Sequence, residues 1–189
     1  MLAPDALIDC VDETDLLLFP PLRSAWSRRG ESTNVRLSGR NERRVVFGTM
    51  NRLTGQRLFM ARRHQRSADF CVFLHLLRWQ MPIGLLVLLL DEDPCHTAQR
   101  SQRLAEQLDI LLVWLPVRCP ELNPLELLWG RAKQAVCANR QQEDLDLLAW
   151  LFIDFLQTFT DEESLQTSGV RSKHFWLRDA LSNYFCGPA

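Results

Sequence analysis

Residues 119–136, CPELNPLELLWGRAKQAV, contain the clearest helix start in the chain. Asn123 can cap this helix, and Pro124 suits its first turn because the missing N–H of proline is tolerated there. Apolar residues then recur at helical spacing and predict one buried stripe: Leu125, Leu128, Trp129, Ala132 and Val136. Glu126 lies at the edge of this stripe and has two interpretations. It either completes a capping box with Asn123, a contribution of about 1 kcal/mol, or it is aimed at a functional site.

The composition is that of an ordinary globular protein. The chain has 189 residues, of which 47% are hydrophobic and 24% charged, enough for one compact domain with at most a small appendage. Its longest apolar run, IGLLVLLL at 83–90, is too short to span a membrane and predicts a buried strand. The N-terminus lacks the basic segment of a secretory signal, and six scattered cysteines without a C-x-x-C pair favour reduced thiols. We therefore expect a cytoplasmic protein with no membrane partner.

Charge is distributed very unevenly along the chain. The net charge is only −1, yet residues 23–66 hold twelve arginines and two acids. Residues 1–22 hold five acids and residues 141–170 hold seven, with no Lys or Arg in either segment. A basic middle segment of this kind fits a polyanionic partner. The alternative is a set of solvated arginines on separate faces of strands and loops.

The pattern of apolar residues predicts strands first and alternating helices and strands afterwards. The first strand is expected to end near Asp12, followed by a turn and a second extended piece. Further strands are predicted at 43–51, 55–63, 83–91 and 109–116. Helices are predicted at 68–81, 97–108, from Pro124 onward, 144–159 and 172–185. This order predicts an α/β fold with a mixed sheet covered by helices.

Three carboxylates from separate segments are predicted to lie at one edge of that sheet. Asp12 and Asp91 fall at predicted strand ends, and Glu126 opens the helix after the last strand. Functional groups gather outside the carboxyl ends of strands in such sheets. Converging acids repel one another unless a cation is present, and Mg²⁺ and Mn²⁺ prefer oxygen ligands. The three acids therefore predict a metal site if they converge.

Two segments, LLLDEDPCHTA at 88–98 and LLVWLPVRCPELNPLELLWGRAK at 111–133, resemble the transposase core of the mariner superfamily, in particular its bacterial insertion-sequence branch. That family has an aspartate ending an apolar strand, a nearby His, and then a strand leading into an LNP-[IL]-E-x-x-W block. Here 34 residues lie between Asp91 and Glu126, a spacing that this superfamily uses. The segment VDETDLLLFPPLRSAW at 11–26 resembles the segment of the first acid, and VVFGTMNRLTGQ at 45–56 resembles the strand pair that follows it.

The resemblance implies a ribonuclease-H-like mixed sheet flanked by helices, with extra C-terminal helices. It implies a catalytic core at residues 1–140 and a helical extension at 141–189, packed on the core or at a dimer interface. Asp12, Asp91 and Glu126 would hold two Mg²⁺ ions, with Mn²⁺ as a substitute. The implied reaction is cleavage of a DNA strand at an element end, followed by transfer of the freed 3′-hydroxyl to target DNA. The implied partners are double-stranded DNA and a second copy of the chain.

The sequence also departs from the family pattern. Glu92 stands where Asn usually follows the second aspartate, with Asp93 beyond it, so the roles of these two acids stay open. About eleven residues precede Asp12, so the helix-turn-helix region of full-length members is expected to be encoded separately.

Five side chains are candidates for DNA contacts: Arg28, Arg29, Arg43, Arg44 and His96. For His96, a contact with phosphate near the metals and a simple role in opening a helix are both open.

Three functions remain in competition. The leading hypothesis is a nucleoid-associated transposase catalytic domain. The first alternative is a stand-alone metal-dependent DNA nuclease that cuts without strand transfer. The second is an inactive remnant that binds DNA or a partner protein. The presence of all three acids favours the two enzymes over the remnant.

Overall fold

A five-stranded mixed sheet forms the centre of the computed structural model, which describes residues 6–24, 26, 28–30, 34–35, 42–116, 119–139, 142 and 144–177. The strands are β1 (Leu7–Leu17), β2 (Arg43–Asn51), β3 (Arg57–Arg62), β4 (Leu86–Leu90) and β5 (Ile110–Trp114). Their order is β3-β2-β1-β4-β5. The first three strands form an antiparallel meander, and β4 and β5 run parallel to β1.

Six helices surround the sheet among the described residues. They are α1 (Ser67–Gln80), α2 (Pro94–Thr97), α3 (Gln99–Gln107), α4 (Leu125–Ala132), α5 (Leu145–Gln157) and α6 (Asp161–Thr167). A short 3₁₀ turn, Pro120–Leu122, precedes α4, and a π-helical turn, Lys133–Cys137, follows it. This architecture confirms the predicted mixed sheet with flanking helices.

Each face of the sheet carries its own hydrophobic core, because successive side chains of a strand point to opposite faces. Ile8 and Cys10 of β1 pack with α4 and α5, in a cluster centred on Trp129 and Phe152. Val11 instead belongs to a second cluster, built with the aromatic face of α1 and Ala105 of α3. Even-numbered positions of β1 therefore face α4 and α5, and odd-numbered positions face α1.

Strand β1 is longer than the sequence predicts. The expected strand end and turn at Asp12 are wrong, because β1 continues without interruption to Leu17. The antiparallel partner β2 accompanies it over this whole length, down to the pair Leu17 and Arg43. Thr14 and Leu16 are buried on one side of this extension, and that burial stabilises an extended chain where a turn was predicted.

Helix α6 was not predicted, although its start carries a clear local signal. Thr160 and Glu163 form a capping box, in which the threonine hydroxyl accepts from the Glu163 N–H and the glutamate accepts from the Thr160 N–H. Arg57 of β3 holds this helix start by donating to the carbonyl oxygen of Phe159 at 2.8 Å, and it also donates to Gly55, just before β3, at 2.7 Å. The predicted helix at 172–185 lies mostly outside the described residues.

Two predictions from composition can be compared with the described residues. None of the cysteines in the described part of the chain forms a disulfide. None of the helices found there is long and apolar enough to cross a membrane.

Candidate active site

Asp12, Asp91 and Glu126 line one small cleft of about 100 Å³, beside the carboxyl ends of β4 and β5. The parallel register pairs Cys10 with Leu89, so two residues further along Asp12 lies level with Asp91. The remaining lining residues come from the segment before α4: Leu115, Pro116, Cys119, Pro120 and Asn123. Three segments that are far apart in sequence thus bring their acids to the same place.

Asp12 is held in the cleft by Trp129. The indole N–H of Trp129 donates to Oδ2 of Asp12 at 2.9 Å. The ring reaches this position because Gly48, the β2 residue opposite Asp12, has no side chain, and a Cβ there would overlap the indole. Burial, followed by the negative charges of Glu13 and Glu126, raises the pKa of Asp12 to about 8. The protein alone therefore leaves the negative charge of this carboxylate poorly compensated.

The position of Glu126 depends on Asn123. The side-chain amide of Asn123 donates to the carbonyl oxygen of Val11 at 2.8 Å, and its oxygen accepts from the N–H of Leu125. In a capping box the carboxylate of Glu126 would accept from the backbone N–H of Asn123. That N–H donates instead to the carbonyl oxygen of Pro120 at 2.9 Å. Asn123 therefore ties the start of α4 to β1 next to Asp12, and Glu126 faces the cleft.

Asp91 follows the last residue of β4 and keeps a side chain that is 58% exposed. Its carboxylate contacts Nδ1 of His96 at 3.1 Å, and this hydrogen bond lowers the pKa of Asp91. The two acids that follow have different surroundings. Asp93 caps α2 by accepting from the N–H of Cys95 at 2.7 Å, and Glu92 is exposed. Asp91 is thus the acid of this group that lines the cleft.

Glu13, which sequence reasoning did not select, lies on the opposite face of β1 from Asp12. Its carboxylate contacts Nε2 of His96 at 2.8 Å, and the side chains of Glu13 and His96 are 5% and 0% exposed. Burial would lower the pKa of His96, but the carboxylates of Glu13 and Asp91 outweigh it and raise this pKa well above its ordinary value. The sequence did carry a signal for Glu13, the pair of adjacent acids at 12–13. Neighbouring residues of a strand point to opposite faces, so the second acid of such a pair faces away from the first.

The arginines predicted to contact DNA have different surroundings. Arg28 and Arg29 are exposed in the connection between β1 and β2, and Arg43 forms an exposed ion pair with Asp15 at 3.3 Å. Arg44 donates two hydrogen bonds to Asp146 of α5, at 2.6 and 3.1 Å, and its side chain is only 14% exposed. Phosphate contacts at Arg44 and at the fully buried His96 do not fit these surroundings. Arg44 joins β2 to α5, and His96 joins two carboxylates.

The residues of the cleft fit a divalent cation. All three acids offer oxygen ligands, which Mg²⁺ and Mn²⁺ prefer. The raised pKa of Asp12 is a second indication, since burial, followed by the neighbouring negative charges, makes a carboxylate without a counter-charge unfavourable there. A cation bound among the three acids would supply that counter-charge.

The chain belongs to the DDE superfamily endonuclease family, whose sequence profile matches residues 8–149. It is also 26% identical over 149 residues to an uncharacterized 39 kDa protein of insertion element IS630 from Shigella sonnei. That match covers 78% of this chain and 43% of the relative. The family membership and this relative confirm the resemblance to insertion-sequence transposases.

Solved structures with a similar fold include the Mos1 mariner transposase. The Mos1 paired-end complex with Mg matches with a TM-score of 0.70 at 15% identity, over 93% of this chain and 54% of that one. The isolated Mos1 catalytic domain matches with a TM-score of 0.58 at 14% identity, over 85% and 74% of the two chains. The ribonuclease-H-like fold is thereby confirmed. The chain spans about half the length of the full Mos1 chains and less than half of the Shigella relative.

Proposed function

We propose that this chain is the catalytic part of a transposase that cuts DNA strands and joins a freed 3′-hydroxyl to target DNA. The observation that carries the proposal is the meeting of Asp12, Asp91 and Glu126 around one cleft beside the carboxyl end of β4, level with the middle of β1. Membership of the DDE superfamily endonuclease family supports it. So does the similarity to Mos1, whose structures include a strand transfer complex.

In this proposal the three acids hold two Mg²⁺ ions, which Mn²⁺ can replace. When bound, such a pair of ions activates the attacking oxygen and stabilises the leaving oxygen of a phosphodiester. Structures of Mos1 were determined with Mn and with Mg, which supports this choice of metal. The contribution of the chain is to fix the carboxylates: Trp129 holds Asp12, and Asn123 holds the helix that carries Glu126.

Double-stranded DNA is the proposed substrate, contacted through its phosphates by Arg28, Arg29 and Arg43. These three side chains are exposed. Two Mos1 complexes contain transposon-end DNA or a pre-cleavage transpososome, which supports the same class of substrate here. We further propose that the active protein works in the cytoplasm, associated with the nucleoid.

We also propose that the chain acts as a homodimer, with residues 141–189 as a helical extension on the core at 1–140. Helix α5 packs on the sheet through Leu148 and Phe152, while Leu147 and Trp150 on its outer side are 42% and 62% exposed. Trp150→Asp is expected to shift the protein from dimer to monomer in sedimentation experiments. A wild-type chain that sediments as a monomer at all concentrations, with and without DNA, would refute the dimer.

The decisive experiment measures Mn²⁺-dependent nicking of supercoiled DNA. Asp91→Asn and Glu126→Gln are expected to reduce nicking to background while leaving DNA binding intact, because each removes a metal ligand but keeps the shape of the side chain. Glu106→Gln, the same change on an exposed residue of α3, serves as the control and should nick normally.

The products then distinguish the competing functions. Joined products made from a pre-cut element end establish the transposase, whereas nicks without joining indicate a stand-alone nuclease. A wild-type chain that binds DNA but never nicks it is an inactive remnant, and the proposal fails.

A further inference from the structure

Two buried side chains behind the cleft, Glu13 and His96, are not used directly by the proposed chemistry but connect to its ligand Asp91. Glu13 Oε1 lies 2.8 Å from His96 Nε2, and His96 Nδ1 lies 3.1 Å from Oδ1 of Asp91. His96 is fully buried, and its ring lies against Phe70 with the centroids 4.5 Å apart. Both nitrogens of the ring are thus engaged by carboxylates, and the aromatic contact restricts its tilt.

We propose that Glu13 and His96 are positioning residues that fix the carboxylate of Asp91 for metal binding. This inference rests on the proposed function of the cleft. Asp91 needs such support because it follows the end of β4 and its side chain is more than half exposed, so the strand itself does not fix its rotamer. One oxygen of Asp91 is tied to the imidazole, which orients the other oxygen for the cation.

Glu13 and Asp91 contact the imidazole of His96 at its two different nitrogens. The ring also lies 3.1 Å from the backbone carbonyl oxygen of Asp91, so one side of it follows the start of the loop after β4. Glu13 belongs to β1, the strand that also carries Asp12. The arrangement therefore couples the position of Asp91 to the strand that presents the first acid, through two hydrogen bonds across adjacent strands.

The three ligand atoms of Glu13, Cys95 and His96 lie within 4.8 Å of one another, so a second metal site is the competing interpretation. The contact between Glu13 and His96 argues against it. Two ligands of one tetrahedral zinc ion, each about 2.0–2.1 Å from the metal, would be separated by roughly 3.3 Å. The observed 2.8 Å is the length of a direct hydrogen bond between charged or polar groups.

The test separates metal affinity from turnover. Nicking by the full chain is measured against Mn²⁺ concentration, and Mn²⁺ binding to the DNA-free protein is measured by electron paramagnetic resonance. Glu13→Ala is expected to raise the half-saturating Mn²⁺ concentration about tenfold, the usual effect of losing a group that orients a metal ligand, with nicking recovered at saturating Mn²⁺. Glu13→Gln, whose amide oxygen can still accept from Nε2, should recover most of the lost affinity.

Asp9→Asn is the matched control. Asp9 is also a buried carboxylate on the same face of β1, but it is hydrogen-bonded to Asn51 and Thr49 rather than to His96. Its variant should bind Mn²⁺ like the wild type. If the Glu13 variants fold and match Asp9→Asn in Mn²⁺ affinity, the positioning role is refuted. Circular dichroism verifies folding, and Glu13→Gln keeps the test available if Glu13→Ala does not fold.

Two further outcomes distinguish the alternatives. If Cys95→Ser weakens Mn²⁺ or Zn²⁺ binding as much as Glu13→Ala does, then Glu13, Cys95 and His96 form a metal site themselves and the positioning role is overturned. If the wild type binds Mn²⁺ and the Glu13 variants weaken that binding, but no protein nicks DNA, the proposed function fails while the positioning role stands.

Discussion

The acidic residues of β1 have different surroundings because their side chains point to opposite faces of the sheet. Asp12 faces α4 and the cleft, whereas Asp9 and Glu13 face the core beneath α1. Asp9 is buried at the far end of the strand, where the side chains of Asn51 and Thr49 donate to it at 2.7 and 3.2 Å. Each carboxylate of β1 therefore needs its own partner for its negative charge. That partner is the proposed cation for Asp12, an imidazole for Glu13 and neutral hydrogen-bond donors for Asp9.

The stability of the protein is expected to depend on the protonation of Asp9. Burial raises the pKa of Asp9 from 3.8 to about 6, although the hydrogen bonds from Asn51 and Thr49 oppose the shift. The folded state then binds this proton more tightly than the unfolded state, so this residue makes the free energy of unfolding fall as pH rises from about 4 to about 6. Asp9→Asn removes the charge but keeps the shape.

We expect Asp9→Asn to be more stable than the wild type above pH 6, by up to ~3 kcal/mol, with the difference disappearing toward pH 4. Urea unfolding of both proteins across this range measures it. Other titrating groups act equally in the two proteins, so the difference between them isolates Asp9. A difference that does not change with pH would contradict the assignment.

At the scale of elements, short polar links decide where the helices meet the sheet. Asn123 connects the start of α4 to β1, Arg44 connects β2 to α5, and Arg57 connects β3 to the start of α6. Each link joins residues that are about a hundred positions apart in sequence. The apolar faces of these helices make them pack on the sheet, and the polar links fix the position of each helix on it.

Asn123→Ala is expected to impair both stability and activity. It leaves the carbonyl oxygen of Val11 without its amide donor and removes the cap on Leu125 N–H, which should cost about 1–3 kcal/mol. Because α4 carries Glu126, nicking should fall further than the loss of folded protein explains. Chemical denaturation and nicking assays measure the two effects, with the exposed neighbour Glu121→Ala as the control. Normal nicking by folded Asn123→Ala would show that this link does not position Glu126.

Arg57→Met is expected to release α6 locally. The guanidinium donates to several groups around the helix start, including the carbonyl of Phe159 and the hydroxyl of Ser164, and methionine keeps only the apolar stem. Amide hydrogen exchange should therefore increase at residues 160–168 and stay slow in β1 and β4. Arg171→Met, which removes only an exposed ion pair with Glu162, is the matched control. Increased exchange throughout the sheet would instead indicate a global role for Arg57.

At the scale of the whole molecule, the overall charge of −1 hides a strongly basic segment. The negative charges of the acids and the positive charges of the arginines nearly cancel over the whole protein, so its net charge does not attract DNA. DNA binding is therefore expected to depend on local contacts between arginine and phosphate, and to weaken steeply with salt.

Replacing Arg28 and Arg29 together by Gln should reduce the slope of log K against log salt by roughly 1 for each arginine. Fluorescence anisotropy with a DNA duplex at several salt concentrations measures this slope. Arg103→Gln, an exposed arginine of α3, should leave the slope unchanged. Equal slopes for wild type and the double variant would remove Arg28 and Arg29 from the DNA interface.

The sequence by itself determined the local features of this protein. Apolar periodicity predicted β2 at its observed bounds and α1, β4, β5 and α5 within a few residues. The block from Asn123 to Trp129, together with the distance back to Asp91, indicated the family and the three acids of the cleft. These features are readable because secondary structure and helix starts depend on residues within a few positions of one another.

Only the tertiary structure decided which side chains meet. It extended β1 past Asp12 because β2 accompanies that strand, and it paired Arg44 with Asp146 and His96 with Glu13. Such contacts depend on strand register and on the burial created by distant segments, and a shift of one residue would exchange the faces of Asp12 and Glu13. For that reason the cleft acids could be proposed from sequence, whereas the buried side chains behind them could not.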